Sequence, residues 1–221
     1  MWCIHMKKRT DRDPYVDALQ KRFPNMRMYD PLPSLNGQRG CYESHQQVMR
    51  QTEQDVAVIF EDDAKEVKDS ALIIEECKKV LRSTTFDIIY LGCFPDIVKH
   101  FHSQYSESLY TVKATQTHAY VVHERFMKKF INAPYSSIPV DEYFRDNATC
   151  LAWLPGIFVQ ENSASNVSTI KSLSLIPYKN ELIYAAQLYA SKVGIPLYIV
   201  CVSLIFIGIL IRIKYGGRKT R

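Results

Sequence analysis

The sequence lacks several features that would place it in a common class. Its six cysteines show no Cys-x-x-Cys spacing, which argues against a zinc site or a disulfide framework and for small buried side chains in a reducing compartment. No basic stripe with interleaved aromatic residues occurs, so we expect no nucleic-acid partner. Internal repeats and low-complexity tracts are absent, and the start of the chain shows no apolar run of secretory-leader length. These absences favour a globular domain in a reducing compartment.

Length and charge set the domain organisation. The 221 residues suffice for one sizeable domain with an appendage. The net charge of +5 comes largely from the two ends of the chain. Residues 193–211 carry no charge and would span about 28 Å as a helix, which matches the thickness of a bilayer's hydrocarbon core. We predict a catalytic-type domain at 1–170, a linker at 171–192, a transmembrane helix at 193–213 and a basic tail at 214–221.

The predicted helix would make membrane lipid a partner of the protein. A basic tail prefers the cytosolic side, which would place the domain in a lumen. A C-terminal anchor with so short a tail is instead typical of insertion after synthesis, and we expect the domain in the cytosol. Asn147 and Asn166 begin Asn-x-Ser/Thr motifs that accept glycans only in a lumen. Glycosidase-sensitive mass on either asparagine would therefore contradict the cytosolic assignment.

The chain is organised around the stretch from Val56 to Asp63. Five consecutive apolar residues at 56–60 predict a strand that is buried on both faces. Three carboxylates, Glu61, Asp62 and Asp63, follow at once, at the strand end where ligands of open α/β sheets lie. Carboxylate oxygens suit Mg²⁺ or Mn²⁺ and a bridged phosphate. The alternative is a solvated acidic turn that opens the next helix.

The remaining chain alternates between strand-like and helix-like segments. This alternation predicts an α/β fold with a mostly parallel central sheet. The predicted strands are 2–6, 56–60, 87–92, 109–114, 118–122, 151–154 and 156–160. The predicted helices are 14–23, 41–50, 66–82, 124–132 and 140–145.

Six pieces of the sequence, in order, resemble glycosyltransferase family 25, which includes lipooligosaccharide galactosyltransferases and procollagen galactosyltransferase relatives. The resemblance covers about residues 1–170 and is specific because the pieces keep the family's order. They are Gly40-Cys41-Tyr42-Glu43-Ser44-His45, Val58-Ile59-Phe60-Glu61-Asp62-Asp63, Ile89-Tyr90-Leu91-Gly92, Thr117-His118-Ala119-Tyr120-Val121-Val122, Pro139-Val140-Asp141-Glu142-Tyr143-Phe144 and residues 155–160.

The resemblance implies a single GT-A-like domain and inverting transfer of a hexose. It implies a nucleotide-sugar donor, for which we expect a UDP-hexose carrying galactose or glucose. It also implies a divalent cation, Mn²⁺ or Mg²⁺, and a saccharide or glycoprotein hydroxyl as acceptor. The second interpretation is a catalytically inactive relative that serves as a membrane-attached binding or structural protein.

Candidate site residues follow from the matched pieces. Glu61, Asp62 and Asp63 would hold the cation, with Asp63 the first choice as a direct ligand and Asp62 alternatively facing the donor's ribose. Asp141 is the preferred general base and Glu142 the second choice. Asp141 alternatively only caps a short helix.

Four further residues complete the predicted site. Ser44 and His45 would hold the donor or orient the acids, and His118 would reach the metal or the diphosphate. Gln160 is a candidate for contact with the acceptor. The alternative for both histidines is a structural role in the core.

Overall fold

The computed structural model describes residues 1–31, 33–100 and 106–161. Within them the chain alternates between strands and helices, as the sequence predicts. The strands are β1 (Trp2–Ile4), β2 (Arg27–Tyr29), β3 (Val56–Glu61), β4 (Ala64–Glu66), β5 (Ile88–His100), β6 (Leu109–His123), β7 (Cys150–Trp153) and β8 (Phe158–Gln160). The helices are α1 (Asp13–Arg22), α2 (Gly37–Arg50), α3 (Ala71–Ser83), α4 (Glu124–Phe130) and α5 (Val140–Asn147), and a 3₁₀ helix at Thr10–Arg12 precedes α1.

A six-stranded sheet forms the centre of the domain, in the order β2-β1-β3-β6-β5-β7. The strands β2, β1 and β3 are mutually parallel, and β5 and β7 are parallel to each other. Only β6, which lies between β3 and β5 and is antiparallel to both, runs in the opposite direction. The prediction of a mixed α/β domain with a mostly parallel sheet is confirmed.

Helices cover both faces of this sheet. Side chains of β3 alternate between the two faces, with Val58 in one apolar core and Ile59 in the other, and both are fully buried. One core receives α1 and α3, while the other receives α2, α4 and α5. Burial on both faces explains the uninterrupted apolar run of β3.

A small second sheet lies directly after the acidic residues and corrects one prediction. β4 pairs antiparallel with β8, so Glu66, where the predicted helix 66–82 would begin, ends a strand instead. The following helix, α3, starts at Ala71, and Val67, which lies within the predicted helix 66–82, precedes it and is 48% exposed. The segment is a strand because it pairs with a strand that is distant in sequence. The helical spacing of apolar residues does not reveal such a partner.

Further boundaries differ from the predictions. β5 extends to His100 rather than ending at residue 92, and β2 was not predicted. The segments 109–114 and 118–122 are not separate strands, because β6 is continuous and pairs with β5 along most of its length. α2 begins at Gly37 rather than at residue 41, since the side chain of Asn36 caps it by accepting a hydrogen bond from Arg39 N at 3.1 Å. Gly37 and Gly40 therefore lie inside this helix.

Within the described ranges, no helix combines the length and the apolar character needed to cross a membrane. The predicted linker, transmembrane helix at 193–213 and basic tail lie outside these ranges. The membrane anchor and the cytosolic location of the domain stay predictions.

Candidate active site

The candidate site lies where β1 and β3 end side by side. These strands are parallel neighbours, and Ile4 of β1 pairs with Glu61 of β3. The segments that leave both strands therefore start at the carboxyl edge of the sheet, where ligands bind in folds of this type. Asp62 and Asp63 are 8% and 2% exposed there. The alternative of a solvated helix start is wrong.

Arg12 of the 3₁₀ helix pairs with both aspartates. Its Nη1 contacts Asp62 Oδ1 and lies 2.8 Å from Asp63 Oδ2. The other oxygen of Asp62 lies 3.2 Å from His5 Nδ1. Burial disfavours the charge of Arg12, but the neighbouring Asp63 and Asp62 outweigh that effect and raise its pKa. One arginine thus holds the two carboxylates together away from water.

Asp63 is the least satisfied of the acids. Its Oδ2 accepts a hydrogen bond from Gln160 Nε2 at 3.1 Å, whereas its Oδ1 is buried without a hydrogen-bond partner. Burial and the negative charges of Glu61 and Asp62 raise the pKa of Asp63 to about 7, although Arg12 and Gln160 act in the opposite direction. Of the three acids, Asp63 is therefore the one whose charged form a further cation would stabilise most.

Asp63→Asn is expected to change the pH dependence of folding stability. The folded-state pKa of about 7 lies above the ordinary value of 3.8, so the folded state binds this proton more tightly than the unfolded state. The contribution of Asp63 to folding stability is fully present below the unfolded-state pKa of 3.8 and is lost as pH rises through the folded-state pKa of about 7. Asparagine does not titrate, and the variant should lack this slope of up to about 1.4 kcal/mol per pH unit.

Urea unfolding of both proteins between about pH 5 and pH 7, with a chelator present, measures this slope. Burial lowers the pKa of His118, which gives an opposite slope in this range, but that slope is common to both proteins. Equal slopes for the variant and the wild type would contradict the raised pKa of Asp63.

Glu61 points away from the two aspartates, toward β6 and α2. Thr117 Oγ1 donates a hydrogen bond to Glu61 Oε1 at 2.6 Å, and His45 Nε2 lies 3.3 Å from the same oxygen. Burial opposes ionisation, but contacts with His45, Thr117 and His118 outweigh it and lower the pKa of Glu61 to about 2. The acidic trio is therefore divided between two environments.

Asp141, the predicted base, is connected to this edge through β6. It lies in the first turn of α5, where one oxygen accepts from its neighbour Glu142 N at 3.0 Å. The other oxygen accepts from Gln116 N at 3.2 Å. Gln116 has a φ of 71°, and the next residue, Thr117, binds Glu61. Gln116 and Thr117 thus bring Asp141 and Glu61 to one edge of the sheet.

The other predicted residues differ in how closely they join the site. Ser44 donates to the helix carbonyl of Gly40 at 2.6 Å. His118 is buried with Nε2 3.4 Å from the Phe158 carbonyl oxygen, while its Nδ1 has no partner. Glu142 is half-exposed and lies 3.8 Å from Arg145. The predicted roles of these residues stay predictions.

Four residues near the acids were not predicted as site residues: His5, Arg12, Cys41 and Thr117. Both His5 and Arg12 follow β1 in the structure, but the sequence predicts His5 within strand 2–6 and Arg12 in the polar segment after it. The observation that could have identified them is that parallel strands of such a sheet end at a shared edge. Which strands are neighbours, however, depends on the three-dimensional fold.

The aspartates fit a divalent cation by charge and by ligand type. The two aspartates share one permanently charged cation, Arg12, and one buried oxygen of Asp63 lacks any donor. Carboxylate oxygens are the ligands preferred by Mg²⁺ and Mn²⁺. Arg12 holds Asp62 Oδ1 and Asp63 Oδ2, and His5 lies beside Asp62 Oδ2, so Asp63 Oδ1 is the aspartate oxygen that has no partner.

Solved structures of similar fold share little sequence with this chain. A197 from STIV is 11% identical with a TM-score of 0.49, covering 76% of this chain and 96% of its own. HddC from Yersinia pseudotuberculosis is 13% identical with a TM-score of 0.40, covering 72% and 71%. UDP-glucose pyrophosphorylase complexed with UDP-glucose is 7% identical with a TM-score of 0.40, covering 73% of each chain. These likenesses do not identify a ligand of this chain.

Comparison of the sequence with protein families gives a direct assignment. No curated protein matches the chain. The family described as glycosyltransferase family 25 (LPS biosynthesis protein) matches residues 20–144, a segment that includes the acidic trio and Asp141. This segment makes up more than half of the 221 residues. The chain therefore belongs to glycosyltransferase family 25.

Proposed function

We propose that the protein transfers a hexose, galactose or glucose, from a UDP-sugar to a hydroxyl group of a saccharide or glycoprotein, with inversion at the anomeric carbon. A divalent cation, Mn²⁺ or Mg²⁺, assists the reaction. Membership of the family supports sugar transfer from an activated donor. The observation that carries the proposal is the connection of Asp141 to the acidic edge through Gln116 and Thr117.

Asp141 would act as the general base toward the acceptor. Both of its oxygens accept backbone hydrogen bonds, from Gln116 N and Glu142 N, so the orientation of the carboxylate is fixed. An oxygen that accepts one hydrogen bond retains a lone pair for the proton of an incoming hydroxyl. In an inverting transfer the base removes this proton as the hydroxyl attacks the anomeric carbon from the face opposite the leaving group. A partly buried carboxylate at the strand edge suits that task.

Asp62 and Asp63 would lie on the side of the leaving nucleotide. Together with Arg12 and His5 they form a polar cluster at the ends of β1 and β3, where donors bind in open sheets. A cation held by Asp62 and Asp63 would neutralise the negative charge that develops on the departing diphosphate. Arg12 supplies a second positive charge beside the same carboxylates and keeps both oriented.

The full-length protein, purified in detergent, provides the test. We expect it to release the nucleoside diphosphate from one or more members of a UDP-sugar panel in the presence of Mn²⁺, and to lose this activity in a chelator. Release is measured by coupled assay, binding by calorimetry, and the anomeric configuration of a transferred sugar by NMR. Failure to bind or cleave any sugar nucleotide would refute the proposal, whereas binding without cleavage would support the inactive alternative.

A further inference from the structure

A group of metal-ligating atoms lies beside Asp62, Asp63 and Asp141, the residues to which the proposed reaction assigns chemical steps. The Sγ of Cys41, a ring nitrogen of His45 and a carboxylate oxygen of Glu61 all lie within 4.8 Å of one another. Cys41 and His45 are one helical turn apart and therefore occupy the same face of α2. Glu61 ends β3. Two rigid elements thus bring three different ligand types together.

His45 is oriented as a metal ligand would be. Its side chain is fully buried, and its Nδ1 lies 2.7 Å from the hydroxyl oxygen of Tyr120. Its Nε2 faces Glu61 Oε1 at 3.3 Å but lacks a hydrogen-bond partner. A metal ion bound between Nε2 and Glu61 would take the place of the proton that faces this carboxylate, while Nδ1 donates its own proton to the Tyr120 oxygen. An outer hydrogen bond of this kind fixes the tautomer of metal-binding histidines.

The spacing of these atoms is close to that of a metal site. Bond lengths of about 2.0–2.3 Å in a tetrahedral zinc site place neighbouring ligand atoms roughly 3.5 Å apart. The 3.3 Å between His45 Nε2 and Glu61 Oε1 already matches this separation. The Sγ of Cys41 lies at most 4.8 Å from the ligand atoms of His45 and Glu61. Rotation of the Cys41 side chain can bring the sulfur to the shorter spacing of a zinc site.

We propose that Cys41, His45 and Glu61 form a binding site for a transition metal ion of the zinc type. A thiolate, an imidazole and a carboxylate together favour Zn²⁺, whereas Mg²⁺ and Mn²⁺ prefer oxygen ligands only. The thiol of Cys41 loses its proton to solvent when its sulfur binds the ion. Three protein ligands leave the fourth tetrahedral position open to water. This site is separate from the oxygen-rich cluster of Asp62 and Asp63 and does not depend on the proposed sugar transfer.

Titration of the full-length protein with Co²⁺, which replaces Zn²⁺ and absorbs visibly when bound to thiolate, tests the proposal. We expect one equivalent of Co²⁺ to give a thiolate-to-cobalt charge-transfer band that Zn²⁺ abolishes. Cys41→Ser should lose the band, and His45→Gln should weaken Co²⁺ binding about tenfold or more. Cys77→Ser, which changes a buried cysteine in the opposite core, is the matched control and should keep the band.

A second measurement does not require a folded variant. Zn²⁺ should slow maleimide labelling of Cys41 in the wild-type protein, located by mass spectrometry, about tenfold or more, and Mg²⁺ should not. Absence of the band in the wild type, its persistence in Cys41→Ser, or labelling of Cys41 at the same rate with and without Zn²⁺ would each overturn the proposal.

Discussion

Asp141→Asn is expected to lower the rate of sugar transfer by about 10²–10⁴-fold, the range for loss of a general base. Asparagine keeps the size of the side chain and one of the two oxygens that accept from Gln116 N and Glu142 N. Folding stability should therefore fall by only about 1 kcal/mol, the net value of one hydrogen bond. The KM for the donor should change little, because Asp141 acts on the acceptor. Steady-state kinetics with varied donor, together with thermal unfolding, measure these effects.

Glu142→Gln is the matched control for Asp141→Asn. Glu142 is the adjacent acid in the same helical turn, but its side chain is half-exposed and lies beside Arg145. We expect this variant to transfer sugar at nearly the wild-type rate. An inactive Glu142→Gln combined with an active Asp141→Asn would reverse the assignment of the base. Full activity in both variants would remove the general-base role from this helix.

The sequence predicted those parts of the fold that depend on local pattern. The apolar run at 56–60 and the helical spacing in α1 and α4 gave the correct type of element, because burial of one or both faces imposes that pattern. The wrong predictions concern segments whose structure depends on pairing with a strand distant in sequence. β4 is a strand only because β8 lies beside it, and β6 is continuous only because β5 supports it across the predicted loop.

In the candidate site, too, local patterns did not predict the contacts between distant segments. Adjacent acids in the sequence suggested one metal site. Because β3 ends at Glu61 and the chain turns at residues 62–63, Glu61 faces Thr117 while Asp63 faces Gln160. Absence of a Cys-x-x-Cys motif argued against a zinc site. A Cys-x-x-Cys motif supplies ligands that are close in sequence, whereas Cys41 and Glu61 come together through the fold, from α2 and β3.

The packing of Arg12 between two aspartates leads to the largest expected change in stability. Arg12→Met keeps much of the side-chain volume but removes the charge, and leaves Asp62 and Asp63 buried without their cation. Breaking a buried pair in this way costs about 3–5 kcal/mol. Arg82→Met removes a half-exposed pair with Asp55 and should cost only about 0–1 kcal/mol. Urea unfolding at neutral pH compares the two variants.

Two further results would distinguish an electrostatic role of Arg12 from simple packing. Arg12 lowers the pKa of Asp63, so its removal raises that pKa further, and protonation of Asp63 at about pH 5 should recover part of the lost stability. Mn²⁺ should raise the Tm of Arg12→Met more than that of the wild type, because the cation can then take the oxygens that Arg12 held. A loss of stability that is the same at both pH values and with or without Mn²⁺ would show that Arg12 acts through packing alone.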